Sequence, residues 1–187
     1  MNDSGVGGCL NPDPVLIVPD VWEGLIAEYH PRTVLDVGCG YGHAVAWFLH
    51  HGIYAFGLDG YPPAIEKSMA PAYVALHDFT SGPTGGRLTY DLCWCAEFVE
   101  HVEERYIPNY AECFTRCNIL AMTHAIPGQP GFHHVNCQYA EYWIEKMKEY
   151  KLQYDNTATH KFRRWALWGV NTLLIFVNEL QPNPRLV

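Results

Sequence analysis

Positive charge is scarce in this chain. Twelve Lys and Arg stand against twenty Asp and Glu, a formal charge of −8 with His neutral. Nucleic acids and anionic membranes attract proteins through clustered cations, so this balance disfavours both as partners. The one basic cluster, KFRR at 161–164, lies beside an expected strand and reads as a solvated edge. Long apolar runs are also missing: none approaches the about 20 residues that cross a bilayer. The N-terminal MNDSGVGGCLNPDP has neither the basic nor the apolar region of a signal peptide. Seven cysteines is an odd number, and neither C-x-C at 93–95 nor C-x-x-x-C at 113–117 belongs to a paired zinc spacing. Reduced, mostly buried thiols and a cytoplasmic setting are therefore expected. No internal repeat or low-complexity segment occurs.

Apolar and aromatic side chains are plentiful. Hydrophobic residues make up 49% of 187, with six Trp and twelve Tyr, and charged residues only 17%, which describes a chain that folds around a core. The length suits one domain spanning 1–187, with 1–17 as a flexible leader.

Periodicity and punctuation divide the chain into alternating elements. VPDVWEGLIAEYHP (18–31) reads as a helix closed by Pro31, TVLDVGC (33–39) as a strand, and HAVAWFLHHG (43–52) as a helix capped by Gly52. YAFGLDG (54–60) and YVALHD (73–78) are strands on either side of PPAIEKSM, a short helix begun by prolines. After the turn TSGPTGGR, YDLCWCAE (90–97) is a strand, YIPNYAECFTRC (106–117) a helix and NILAMTHA (118–125) a strand. AEYWIEKMKEYK (140–151) is an amphipathic helix, and LQYDNTATHKF and TLLIFVNE finish the chain as two β-rich segments with no helix between them. The pattern predicts an α/β fold: a Rossmann-like, doubly wound, mostly parallel seven-stranded sheet whose last strand is antiparallel. Ligands bind such sheets beyond the carboxyl ends of the strands.

The first of those loops is Asp36-Val-Gly38-Cys39-Gly40-Tyr-Gly42. Alternating glycines let backbone turn sharply and approach a ligand, although alone they can be a tight strand-to-helix turn. Asp59 ends the second strand, where an acid can accept both hydroxyls of a ribose, and Asp78 ends the third, where an acid can accept from an exocyclic amine. Three acids at successive strand ends around one glycine loop exceed what turn chemistry explains. The nicotinamide-dinucleotide alternative usually has G-x-G-x-x-G, whereas this chain has G-x-G-x-G and no evident second mononucleotide half.

VLDVGCGYG, YAFGLDG and VALHDF resemble the first three motifs of the class I S-adenosylmethionine-dependent methyltransferases, and the likeness extends from about Thr33 to Glu179. The resemblance implies S-adenosylmethionine as cofactor. Asp36 with Gly38, Cys39, Gly40 and Gly42 would hold its methionine part, Asp59 with Gly60 the ribose, Asp78 with Phe79 the adenine, and Glu97 would border the site. The N/D-P-P-Y motif of amine-methylating DNA enzymes and the P-C nucleophile of cytosine-C5 enzymes are both absent, which disfavours those two chemistries.

At the reacting end stands CAEFVEHV, with Glu97, Glu100 and His101 on one face if 97–104 begins a helical turn. Similar E-x-x-E-H segments occur in ubiquinone-pathway O-methyltransferases and in enzymes that methylate the terminal 2′-hydroxyl of small RNAs. Three readings stand. In the first, His101 is a general base assisted by Glu97 or Glu100, with His134 nearby. In the second, Glu97, Glu100, His101 and His134 hold a divalent metal such as Mg²⁺. In the third, Glu100 and His101 only cap and solvate a helix start. The loop IPGQPGFHHVNCQ (126–138) should cover the same pocket, so Glu100, His124, His133, His134 and Asn136 are candidate acceptor contacts. The expected activity is O-methylation of a polar small molecule such as a sugar or phenolic metabolite. RNA 2′-O-methylation is the first alternative and a non-catalytic cofactor-binding subunit the second.

Overall fold

Runs that are apolar on both faces must be covered on both faces, and this chain does so by winding helices to either side of one sheet. The computed structural model describes residues 17–165 and 171–181, so the expected leader lies outside the described residues except for Ile17. The elements in order are α1 (Pro19–Tyr29), β1 (Thr33–Val37), α2 (His43–His50), β2 (Tyr54–Asp59), α3 (Pro62–Glu66), β3 (Val74–Leu76) and β4 (Tyr90–Cys95). They continue with α4 (Ile107–Phe114), β5 (Cys117–Met122), α5 (Ala140–Glu149), β6 (Leu152–Tyr154), α6 (Asn156–Trp165) and β7 (Leu174–Asn178).

The seven strands lie in the order β3-β2-β1-β4-β5-β7-β6. β1 to β5 are parallel, and β7 runs antiparallel to both neighbours. Strand alternation divides the core. Leu92, Trp94, Ile119 and Ile175 pack with Trp22 of α1, Phe48 of α2 and Phe162 of α6. Leu35, Cys93, Leu120 and Phe176 pack on the other face with Tyr110 and Phe114 of α4 and Trp143 and Met147 of α5. Five of the six described cysteines are buried in this interior, as small apolar side chains are.

The helix-free ending is a correction. Residues 156–165 form α6, so His160 and KFRR sit on a helix and not on or beside a strand. Asp155 starts this helix: its Oδ1 accepts the Ala158 N–H at 2.8 Å, a capping signal that the β-rich reading of DNTATH passed over. Ala158 and Phe162, four residues apart, are buried against the sheet, and Thr159 Oγ1 accepts the Ile175 N–H at 2.9 Å. The cationic side chains are engaged locally: Lys161 pairs with Glu28 of α1, and Arg163 Nε donates to the Leu173 carbonyl at 2.7 Å.

β1 and β4 are neighbours at the centre, and the order of strands runs outward from them in both directions. That is the switch point at which connections diverge to opposite faces and leave a crevice. The register brings Asp36 beside Gly57 and Trp94, Asp59 beside Leu76, and Cys95 beside Met122, so the loops after all five parallel strands open on the same edge.

Candidate active site

Asp36 stands next to last in β1, 3% exposed, and burial, followed by the nearby Asp59, pushes its carboxyl well above the usual range. A buried carboxyl at the head of the glycine loop suits an incoming ammonium group. The loop that follows is held over β2, because Gly38 and Cys39 both donate to the Leu58 carbonyl, at 2.8 and 3.1 Å. Gly38 has φ +79°, and a Cβ there would lie 2.5 Å from the Phe98 ring. Gly42 has φ +74° as the residue before α2, a left-handed conformation that L side chains rarely adopt.

Asp59 is tied into the same loop. Its Oδ2 accepts from Gly40 and its Oδ1 from Tyr61, both at 2.8 Å. Burial raises its pKa and these two backbone bonds offset part of the rise. Gly60 continues the bend after β2. Cys39 is buried under the loop, close to Gly57. Asp78 lies beyond β3, where its Oδ1 accepts the Thr80 N–H at 2.8 Å in a turn that Ser81 also closes. Phe79 is buried, edge-on to Phe98 and to His77, and Asn109 Nδ2 holds its carbonyl.

The other half of the site begins where β4 ends. The helical turn expected from 97 is a 3-10 turn confined to Val99–His101, with Glu97 outside it in the left-handed region at φ +49°. Thr123, just past β5, fastens this residue. Its hydroxyl accepts the Glu97 N–H at 2.8 Å and donates to Glu97 Oε1 at 2.7 Å. The loop after β5 is tied to the turn in a second place, since Val135 and Asn136 both donate backbone N–H to the Glu100 carbonyl, at 2.9 and 3.0 Å.

These ties bring Glu100, His101 and His134 together, with one ligand atom from each lying within 4.8 Å of the others. Glu97 is not in this group. Glu100 is 0% exposed, and neither carboxyl oxygen has a hydrogen-bond partner among the described residues. Burial, then the charge of Glu97, pushes its pKa up to about 9. Burial, then His134, lowers His101 to about 4, and its Nδ1 is buried without a partner. His134 Nδ1 faces the Gln129 carbonyl at 3.1 Å, which makes that nitrogen the donor and leaves Nε2 as a lone pair. Gly131 makes room for the His134 ring.

A fully buried, unpaired acid beside two imidazoles is a set that a divalent cation would satisfy. His133 is half-buried at φ +54° and stands outside the cluster. His124 and Asn136 are both buried, with His124 Nε2 and Asn136 Nδ2 unpartnered among the described residues. Thr123 and Gly131 escaped the sequence reading. A threonine after an apolar run and a glycine in a Pro- and Gly-rich loop carry no local signal, and only the fold shows what each one meets.

Residues 35–118 match the family model described as a methyltransferase domain. Comparison with curated protein sequences gives no match. Among solved structures the chain is similar to a TehB-like SAM-dependent methyltransferase from Corynebacterium glutamicum, with 16% identity over 87% of this chain and 89% of that one and a TM-score of 0.66. It is also similar to magnesium protoporphyrin IX methyltransferase from Synechocystis PCC 6803, solved with bound S-adenosylhomocysteine, with 13% identity, 84% and 78% coverage and a TM-score of 0.60. A third similar structure is the methyltransferase domain of bacterial CtHen1, with 13% identity, 83% and 95% coverage and a TM-score of 0.58. The family-model match takes in the glycine loop, Asp59 at the end of β2 and the strand that leads to Glu97, and the chain shares its fold with solved S-adenosylmethionine-dependent methyltransferases.

Proposed function

We propose that the chain transfers the methyl group of S-adenosylmethionine to a hydroxyl oxygen of a polar small molecule, a sugar or phenolic metabolite, beside a divalent cation. The observation that carries this reading is the cluster of Glu100, His101 and His134, in which buried donor atoms have no partners among the described residues. When bound there, a divalent cation would acidify a hydroxyl and could hold two adjacent oxygens. Glu100 would supply the negative charge, and the two imidazoles would supply lone pairs.

Transfer breaks the sulfonium carbon–sulfur bond, leaves its electron pair on the neutral thioether, and forms the carbon–oxygen bond of a methyl ether; the hydroxyl proton goes to water or a nearby base. The role of the chain is to align oxygen, methyl carbon and sulfur and to exclude competing water. Asp36 and Asp59 hold the cofactor, and the 126–138 loop covers the acceptor. Phe132 and Val135, 55% and 44% exposed, flank His133 and His134 with apolar surface, which favours an acceptor that carries a ring. No described helix is long and apolar enough to cross a membrane, and a cytoplasmic setting is part of the proposal.

His101 as a general base is the second reading, favoured by its unpartnered Nδ1. Its lowered pKa makes it a weak base at neutral pH. The two readings separate when the protein is incubated with labelled S-adenosylmethionine and a panel of sugars, phenols and short RNAs, with and without EDTA. Transfer to a small hydroxyl compound that stops on chelation supports the cation, and transfer that persists supports the base. Transfer to RNA alone, or to nitrogen acceptors alone, overturns the acceptor class. Binding of S-adenosylmethionine without turnover on any acceptor would point to a non-catalytic subunit.

A further inference from the structure

We propose that Thr123 is a positioning residue of the methyl-transfer site, acting through Glu97. Glu97 adopts φ +49° without being glycine, a conformation that persists only where neighbouring structure enforces it. The enforcing group is one hydroxyl. Thr123 Oγ1 accepts the Glu97 N–H at 2.8 Å and donates to Glu97 Oε1 at 2.7 Å, while the Thr123 N–H donates to the Cys95 carbonyl at 3.0 Å and keeps that hydroxyl level with the end of β4. Thr123 is 1% exposed, so water does not substitute for either bond.

Two consequences meet at Glu97. The next residue, Phe98, occupies the space that a side chain on Gly38 would need, so the direction of the chain leaving Glu97 sets how closely Phe98 lies on the cofactor loop. On the other side, the Glu97 carboxylate itself is fixed in place by the Thr123 hydroxyl at Oε1. Releasing the hydroxyl frees a buried N–H and a carboxylate together. The strained residue then relaxes, Phe98 moves off the loop, and the cofactor pocket loosens. This inference rests on the proposed binding of S-adenosylmethionine at the glycine loop, and stands apart from the acceptor and the cation.

The test uses the full chain and S-adenosylhomocysteine as probe, with affinity measured by isothermal titration calorimetry and melting temperature recorded in parallel. Thr123→Val, close in shape but without the hydroxyl, should weaken binding by about tenfold, the worth of a hydrogen bond to a charged group. Thr123→Ser should bind within about twofold of the parent chain, because the hydroxyl alone makes both contacts. Thr123→Cys, with a weak donor, should fall between and supplies the comparison if the valine variant does not fold. A glycine at 97 adopts positive φ without help, so in a Glu97→Gly background Thr123→Val should change affinity by less than about twofold. Equal affinity for the Val, Ser and parent chains would overturn the proposal, as would a Thr123→Val effect that is undiminished in the Glu97→Gly background.

Discussion

Gly38→Ala should damage the cofactor loop through two separable causes. The first is conformational: φ is +79°, and an L residue in the left-handed region costs about 1 kcal/mol. The second is steric. The new Cβ would stand 2.5 Å from Phe98 Cδ2, 2.6 Å from its Cβ and 2.7 Å from its Cγ, distances at which something must shift. Phe98 has little freedom to do so, since it lies edge-on to Phe79 at 5.5 Å and to Tyr110 at 5.4 Å. Overpacking of this kind costs about 1–3 kcal/mol. The total, about 2–4 kcal/mol, corresponds to a fall in melting temperature of about 5–15 °C for a chain of this size. Phe98→Ala alone should also destabilise, by about 2 kcal/mol for a half-buried ring, but it removes the obstacle. Calorimetric melts of the parent, both single variants and the double variant should therefore give a favourable coupling of about 1–3 kcal/mol. S-adenosylhomocysteine affinity should follow the loop, weakened by Gly38→Ala. Strict additivity of the two substitutions would refute the steric account, and a Gly38→Ala chain as stable as the parent would refute both.

Three further predictions address other parts of the site and fold. Glu100 has a folded pKa raised to about 9, so its contribution to stability is full below the unfolded value near 4.5 and is lost as pH rises through 9; metal-free protein should lose about 1 kcal/mol per pH unit relative to Glu100→Gln between about pH 6 and 8. Urea melts in EDTA would show it, and parallel pH slopes for the two chains would refute it. Asp59→Ala removes the acceptor of two backbone N–H groups as well as the expected ribose contact, so titration calorimetry should find S-adenosylhomocysteine affinity down by about tenfold or more. Thr159→Val strands the Ile175 N–H inside the core and should cost about 1–3 kcal/mol in a chemical melt, with cofactor affinity unchanged.

Much of the architecture was legible because burial leaves a mark on sequence. The apolar runs of β1, β4 and β5 and the glycines after β1 announced a covered parallel sheet with a tight loop after its first strand, and the acids at 36 and 59 do lie together around that loop. Helix α6 was missed because its β-branched and polar residues are weak helix formers; tertiary burial of Ala158 and Phe162, together with the Asp155 cap, decided the outcome. At the reacting end, the residue types of CAEFVEH were informative and their geometry was not. A helical face would have grouped Glu97 with Glu100 and His101, whereas Glu97, at its left-handed turn, lies outside the donor cluster, and His134 comes from a loop more than thirty residues later. That grouping depends on long-range hydrogen bonds, which local pattern does not encode.

The position of β7 also has a consequence for vectorial synthesis. β5 can pair with β4 as soon as both have left the ribosome, but its other neighbour is β7, made after α5, β6 and α6. Until residues 174–178 emerge, the edge of β5 presents unpaired backbone, and β6, whose strand partner among the described residues is β7, lacks that partner. A nascent chain halted near residue 165 would therefore hold the glycine loop and its acids on a sheet with an open apolar border, a form prone to self-association. The cofactor half of the protein can be assembled early in translation, whereas the sheet that supports the acceptor half closes only when its late antiparallel strand slides into place.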